Sequence, residues 1–153
     1  MRVTTRTRYA IRALYDLAFH RQGEATQAKE IAEAQKIPLR FLEQILQDLR
    51  RAGLVEARRG PRGGYALARP PAEISLADVL RAVRGPLEEL LGVVGEAGAG
   101  RGGAEADVPA LVWGEVGGRL IDVLEHATLA DFVTRAEAAG VRRAAQPSTM
   151  YFI

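Results

Sequence analysis

Cysteine is absent from all 153 residues of the chain. Its absence excludes disulfides, thiolate metal ligands and cysteine nucleophiles, and it identifies no compartment. Histidine is nearly absent: His20 and His126 stand far apart in the sequence, with no phosphate-binding or metal-binding motif beside them. Little remains from which to build a catalytic constellation, so an enzyme is not expected. No apolar run approaches the roughly 20 residues that cross a bilayer. The opening "MRVTTRTRYAIR" interrupts its apolar residues with arginines. A secretory signal has a continuous apolar block, so a cytoplasmic protein with no membrane partner is expected. No internal repeat is visible.

What is present is a globular composition. Hydrophobic residues make up 48% and charged residues 26%, enough for a core and too apolar for a disordered chain. The length fits one domain, or one domain with an appended element. The net charge of +2 hides an asymmetry. Residues 1–69 hold 14 Lys/Arg against 7 Asp/Glu, and residues 70–153 hold 7 against 12, which together account for the 21 basic and 19 acidic residues. A basic half joined to an acidic half suggests that the first half meets a polyanion. Ordinary surface charge is the alternative.

The apolar periodicity predicts mainly helices. Tyr9, Ala10, Ala13, Leu14, Leu17 and Ala18 form one stripe of a first helix, with Thr5 as N-cap and Gly23 as stop. Thr26 is placed as the cap of a short second helix carrying Ala28, Ile31 and Ala32 inward, broken at Lys36-Ile37-Pro38. In the third helix Leu42, Ile45, Leu46 and Leu49 repeat at i, i+3, i+4, i+7. Gly53 ends it. Two short strands, Leu54 to Ala57 and Tyr65 to Ala68, flank the loop "RRGPRGGY". Ser75 and Asp78 form an approximate capping box for a fourth helix, closed by Gly85-Pro86. Residues 92–107 are rich in glycine and alanine and read as a loop. A long helix with Pro109 in its first turn follows, and Thr128 caps a last one that stops at Gly140.

Helix, turn, helix and two-stranded wing is an arrangement that reads duplex DNA. The major groove is about 12 Å wide and accepts one α-helix. The reading face of the third helix is Leu39, Arg40, Glu43, Gln44, Gln47 and Arg51. Arginine can pair with guanine, glutamine with adenine, and glutamate with the cytosine amino group. An ordinary solvated face is the alternative. In the wing, Arg58, Arg59 and Arg62 project from a hairpin whose glycines, Gly63 among them, permit close approach to a phosphate or groove wall. Arg2, Thr5, Arg6 and Arg8 at the start of the first helix would add phosphate contacts.

These segments resemble the Rrf2 family of bacterial winged-helix transcription regulators. The resemblance runs from Met1 to about Val133 and is carried by "MRVTTRTRYAIRALYDLA", "IPLRFLEQILQDLRRAGLVEARRGPRGGYALARP", "ISLADVLRAV" and "TLADFV". It implies a homodimer crossed through the long helix, with two heads on a palindromic operator and with Glu43 and Arg59 in recognition. Many such proteins hold an iron–sulfur cluster on three cysteines of one loop. The corresponding loop here, Gly92 to Asp107, has none, and Glu96, Glu105, Asp107, His20 and His126 are poor substitutes for thiolate. No cofactor or metal is therefore expected.

The long helix supports a dimer independently. Trp113, Val116, Gly117, Leu120, Val123 and Leu124 form a stripe with more apolar surface than so short a chain can cover. Gly114, Gly117 and Gly118 each cost about 1 kcal/mol relative to alanine in a helix, which close helix approach would justify. The expected architecture is mainly α with a small β-hairpin. It comprises a winged helix-turn-helix domain (1–69), a connecting helix and loop (70–108), a dimerisation helix with a capping helix (109–140) and a tail (141–153). The expected function is a sequence-specific DNA-binding regulator, a repressor, controlled by a partner protein or small ligand. A winged-helix protein-interaction scaffold is the alternative. The apolar tail Met150 to Ile153 is expected to dock on the protein.

Overall fold

The computed structural model describes residues 3–92 and 108–144. Arg2, Glu96, Glu105, Asp107 and the apolar tail lie outside the described residues.

Helix α1 (Thr5–Tyr15) is capped by Thr4, one residue earlier than expected. The Thr4 hydroxyl accepts from the Thr7 amide at 3.3 Å, so Thr5 is already inside the first turn. The helix continues into a π-helical turn, Asp16–His20. Asp16 is buried there. Its carboxylate accepts from Arg21 Nε at 3.1 Å and Gln35 Nε2 at 2.9 Å, so the charge is both paired and hydrogen-bonded. Gln35 belongs to α2 (Ala28–Gln35), which is thereby tied to the end of α1.

Thr26 does not cap α2; Gln27 occupies that position and makes no side-chain cap bond. Thr26 lies extended and buried, and its backbone exchanges two hydrogen bonds with Tyr65 of the wing, at 2.9 and 2.8 Å. Pairing with the wing thus takes Thr26 away from the helix end. Helix α2 stops at Lys36, which is left-handed (φ +53°), and Pro38 begins α3 (Leu39–Arg51). Leu42, Ile45, Leu46 and Leu49 of α3 are fully buried. Each such burial contributes about 1.5–3 kcal/mol before the entropy cost.

Strands β1 (Val55–Arg58) and β2 (Gly64–Leu67) pair antiparallel, with Val55 opposite Leu67 and Arg58 opposite Gly64. The first begins one residue later than expected, because the Leu54 amide still closes the end of α3 on the Leu49 carbonyl at 2.9 Å. The second begins one residue earlier, because Gly64 pairs with Arg58. After a 3-10 turn at Pro71–Glu73 come α4 (Leu76–Arg84), α5 (Leu87–Leu90), α6 (Val108–His126) and α7 (Leu129–Ala138). The Ser75–Asp78 capping box forms as expected, with bonds of 3.1 and 3.0 Å. Asp131 accepts from the Thr128 amide at 2.8 Å at the start of α7. Backbone bonds Leu76 to Ala127 (2.7 Å) and Leu129 to Ile74 (2.9 Å) lock the starts of α4 and α7 together.

The architecture is therefore mainly α with one small hairpin. A single core takes Ala10 and Leu14 from α1, Ile31 from α2, the apolar face of α3, Val79 from α4 and Leu129 from α7. It runs without a break across the division expected at residue 69. Helix α6 differs: Trp113, Val116, Leu120 and Val123 are 56%, 42%, 44% and 66% exposed. Gly117 and Leu124, expected beside them, turn inward: Gly117 is buried and Leu124 lines a cavity against α1 and α4. The reason is that α6 packs on α4, a contact closed by the 2.6 Å Arg81–Glu125 ion pair.

A Cβ on Gly64 would sit 2.3 Å from the backbone of Thr26, in a residue held at φ +142°. Gly60, at φ +105°, has nothing within 4 Å of such an atom. Gly64→Ala is expected to lower stability by about 2–4 kcal/mol in urea denaturation, from overpacking together with backbone strain. Gly60→Ala is expected to cost only about 1 kcal/mol, from strain alone.

Candidate nucleic-acid interface

Burial of one face of α3 leaves the other to solvent. Leu39, Arg40, Glu43, Gln44, Gln47 and Arg51 are all exposed on it. Arg50 is exposed as well and was missed, although it belongs to the same basic last turn. Side chains at these positions can reach base edges when the helix lies in a major groove. No buried side-chain polar atom among the described residues lacks a partner, so the outward polar face is not compensating for an interior fault.

The basic residues divide into two groups. Arg6, expected to contact phosphate, is ion-paired with Asp48 of α3. Asp48 also pairs with Arg51 at 3.4 Å. Arg58 pairs with Glu56 on its own strand at 2.8 Å and reaches the Gly23 carbonyl at 3.5 Å. These arginines serve the fold first, because an acid lies within reach of each. Arg8, Arg40, Arg59 and Arg62 are exposed and form no ion pair among the described residues. Thr5 is exposed beside them on α1.

The wing glycines act differently from the expectation. Gly63 is buried, and a Cβ there would sit 2.3 Å from the Arg58 carbonyl oxygen. Its amide donates to Gly60 at 2.9 Å. The close approach for which Gly63 and Gly64 are needed is thus to the protein's own backbone. That leaves Arg59, Pro61 and Arg62 as the outward part of the tip. A polar cleft of about 440 Å³ separates the tip from the start of α2, lined by Glu24, Gln27, Glu30, Arg58, Pro61 and Arg62. Gln27 and Glu30 carried no sequence signal, since only the Thr26–Tyr65 pairing brings them to the wing.

An exposed polar recognition face beside an arginine-tipped wing has the form of a DNA-reading head. The model of the Rrf2 family, described as an iron-dependent transcriptional regulator, matches residues 3–135. The chain belongs to the Rrf2 family. An HTH-type candidate transcriptional regulator of Synechocystis sp. is 42% identical over 131 residues, 86% of each chain. The structure of T. potens IscR superposes with a TM-score of 0.70 at 33% identity, covering 94% of both chains. That of CymR, the global cysteine regulator of B. subtilis, does so with a TM-score of 0.69 at 29% identity, covering 88% of this chain and 98% of CymR. These relatives are transcriptional regulators and not enzymes. This Rrf2 chain is accordingly a DNA-binding transcriptional regulator. No helix among its described residues is long and apolar enough to cross a membrane.

The family description mentions iron, and the donor set here does not suit a thiolate-held cluster. The chain has no cysteine. His20 Nδ1 accepts from the Ala144 amide at 2.9 Å, and His126 Nδ1 is hydrogen-bonded to the Asp122 carbonyl at 2.8 Å. Among the described residues no three His, Asp or Glu side chains are grouped to hold a metal.

Asp48→Asn removes an anion from beside the reading face and releases Arg6 and Arg51. Two effects of opposite sign are expected. Stability in urea falls by about 1 kcal/mol, the scale of a partly exposed ion pair. Affinity for random duplex DNA rises, measured by fluorescence anisotropy at low salt, because two more cations become available to phosphate.

Proposed function

We propose that this Rrf2 protein is a repressor acting as a homodimer on a palindromic operator, without an iron–sulfur cluster. The observation that carries this reading is the outward stripe Arg40, Glu43, Gln44 and Gln47, together with the exposed wing arginines Arg59 and Arg62, which form no ion pair among the described residues. A scaffold needs no such combination of base-pairing side chains and free cations. In this reading α3 enters the major groove, Glu43 and its neighbours select bases, and the wing arginines contact phosphate or a narrow minor groove. Arg8 adds a backbone contact, while Arg51 and Arg58 contribute charge from positions already held by acids.

The dimer rests on α6. Its exposed valines, leucine and tryptophan form an apolar face of the kind that marks an association surface. A second copy sets the two heads at a defined separation, which a palindrome with matching half-site spacing would recognise. Repression then follows from occlusion of a promoter, and a signal on the C-terminal half acts by changing the separation of the heads.

Glu43→Ala is expected to change which sequences are selected from a random pool more than it changes overall affinity. Arg59→Ala is expected to weaken binding to operator and random DNA alike and to flatten the salt dependence by about one unit of slope. Parent-like binding by both variants would remove the site assignment. Absence of any salt-dependent gel shift on the protein's own upstream DNA would favour the scaffold. Light scattering should give about twice 16.6 kDa for the parent. Leu120→Glu and Val123→Glu, at positions already exposed in the single chain, should give a folded species of one chain's mass.

A further inference from the structure

Behind the reading head lies a cavity of about 370 Å³ between α1, α4, α5 and α6. Its walls are Val3, Ile11, Leu76, Leu80, Leu90 and Leu124, with Thr4, Thr7 and Arg84 as the polar members. The volume falls in the range that takes a small molecule, about 300–1,000 Å³. The polar atoms on the α1 side are already satisfied: the Thr4 and Thr7 hydroxyls bond each other at 3.0 Å, and Thr4 also accepts from the Thr7 amide. The lining is mostly apolar and the space is half open to solvent, which suits the apolar body of a ligand with its polar end toward the mouth. Arg84 is the single charged lining residue, in the last turn of α4, and it has no ion-pair partner among the described residues.

We propose that this cavity binds a small amphipathic carboxylate, with its acyl or aryl body among Ile11, Leu76, Leu80 and Leu124 and its carboxylate on the Arg84 guanidinium. At about 30 Å³ per water molecule the space corresponds to about a dozen waters, room enough for a small amphipathic acid. An uncharged molecule of the same shape forgoes the charge-assisted bond. A cationic one is repelled by Arg84.

The position of the cavity gives an occupant two things to push. One wall is α1, whose Arg6 holds Asp48 of the reading helix and whose Tyr9 packs edge-on to Phe41 of the same helix at 5.6 Å. Another is α6, through Leu124. Occupancy therefore bears on both the head and the long helix. Binding itself is independent of the regulator reading, whereas its effect on DNA rests on that reading.

The test uses the full chain without DNA, titrated with octanoate and separately with octanol and followed by amide shifts in 15N NMR spectra. Saturable octanoate binding is expected at one site per chain, with the shifts centred on Thr7, Ile11, Leu80 and Arg84. Arg84→Gln, at an exposed position, should weaken octanoate about tenfold, the loss of one charge-assisted hydrogen bond, and leave octanol unchanged. Leu80→Trp should abolish binding of both by filling the space. Should that variant fail to fold, the Arg84→Gln comparison decides alone. The proposal is overturned by absence of saturable binding at millimolar octanoate, by shifts confined to the outer face of α6, or by equal weakening of acid and alcohol in Arg84→Gln. A gel shift with and without octanoate then reads the second half. Binding that leaves DNA affinity unchanged keeps the site and removes its link to the heads.

Discussion

Everything at the DNA face depends on the burial of Leu42, Ile45, Leu46 and Leu49. Four fully buried side chains at helical spacing fix the rotation of α3 about its axis. Once that rotation is fixed, Arg40, Glu43, Gln44 and Gln47 have no option except to face outward. The core that accepts these leucines is built on α1, where Ala10 and Ala13 are small and fully buried. Small residues there let α3 and α4 approach the same helix closely. The reading face is thus the reverse side of a packing problem, and its chemistry was left free by the core.

Charge is distributed by a similar division of labour. Asp16 and Asp48 recruit three arginines into the structure: Asp16 takes Arg21 in a buried setting, and Asp48 takes Arg6 and Arg51 at the edge of the head. The basic excess of residues 1–69 is therefore larger than the charge the surface can offer to a partner. Among the described residues, Arg8 and Arg12 on α1, Arg40 at the start of α3 and Arg59 and Arg62 at the wing tip are exposed and form no ion pair, and remain available to a polyanion.

Much of this was legible from sequence, for local reasons. The α3 periodicity, the Ser75–Asp78 box, the Lys36–Pro38 break and the Gly53 stop are each written in a few adjacent residues, and each has its expected counterpart in the fold. Other features depend on parts of the chain far away in sequence. Thr26 looks like a cap until Tyr65 arrives from a distant part of the chain. Arg6 reads as a free cation until Asp48, far away in sequence, is folded against it. The need for glycine at 63 and 64 is explained only when the strand geometry brings them onto Arg58 and Thr26. Gly117 and Leu124 look outward until α4 is seen beside them. The cavity had no sequence signal at all, because its walls come from four helices and no spacing rule links Ile11 to Leu80 or Leu124.

The Thr26–Tyr65 pairing also has a mechanical meaning. It welds the wing to the entrance of α2, while the short link from α3 through Leu54 welds the other end of the hairpin to the reading helix. A hairpin held at both its origin and its flank cannot swing by itself. Helix α3 and the hairpin therefore belong to a single solid piece, whose internal angles are set at folding. In the proposed dimer, any adjustment of one head against the other would fall to whatever joins them, so each head would act as a key of fixed cut on an adjustable ring.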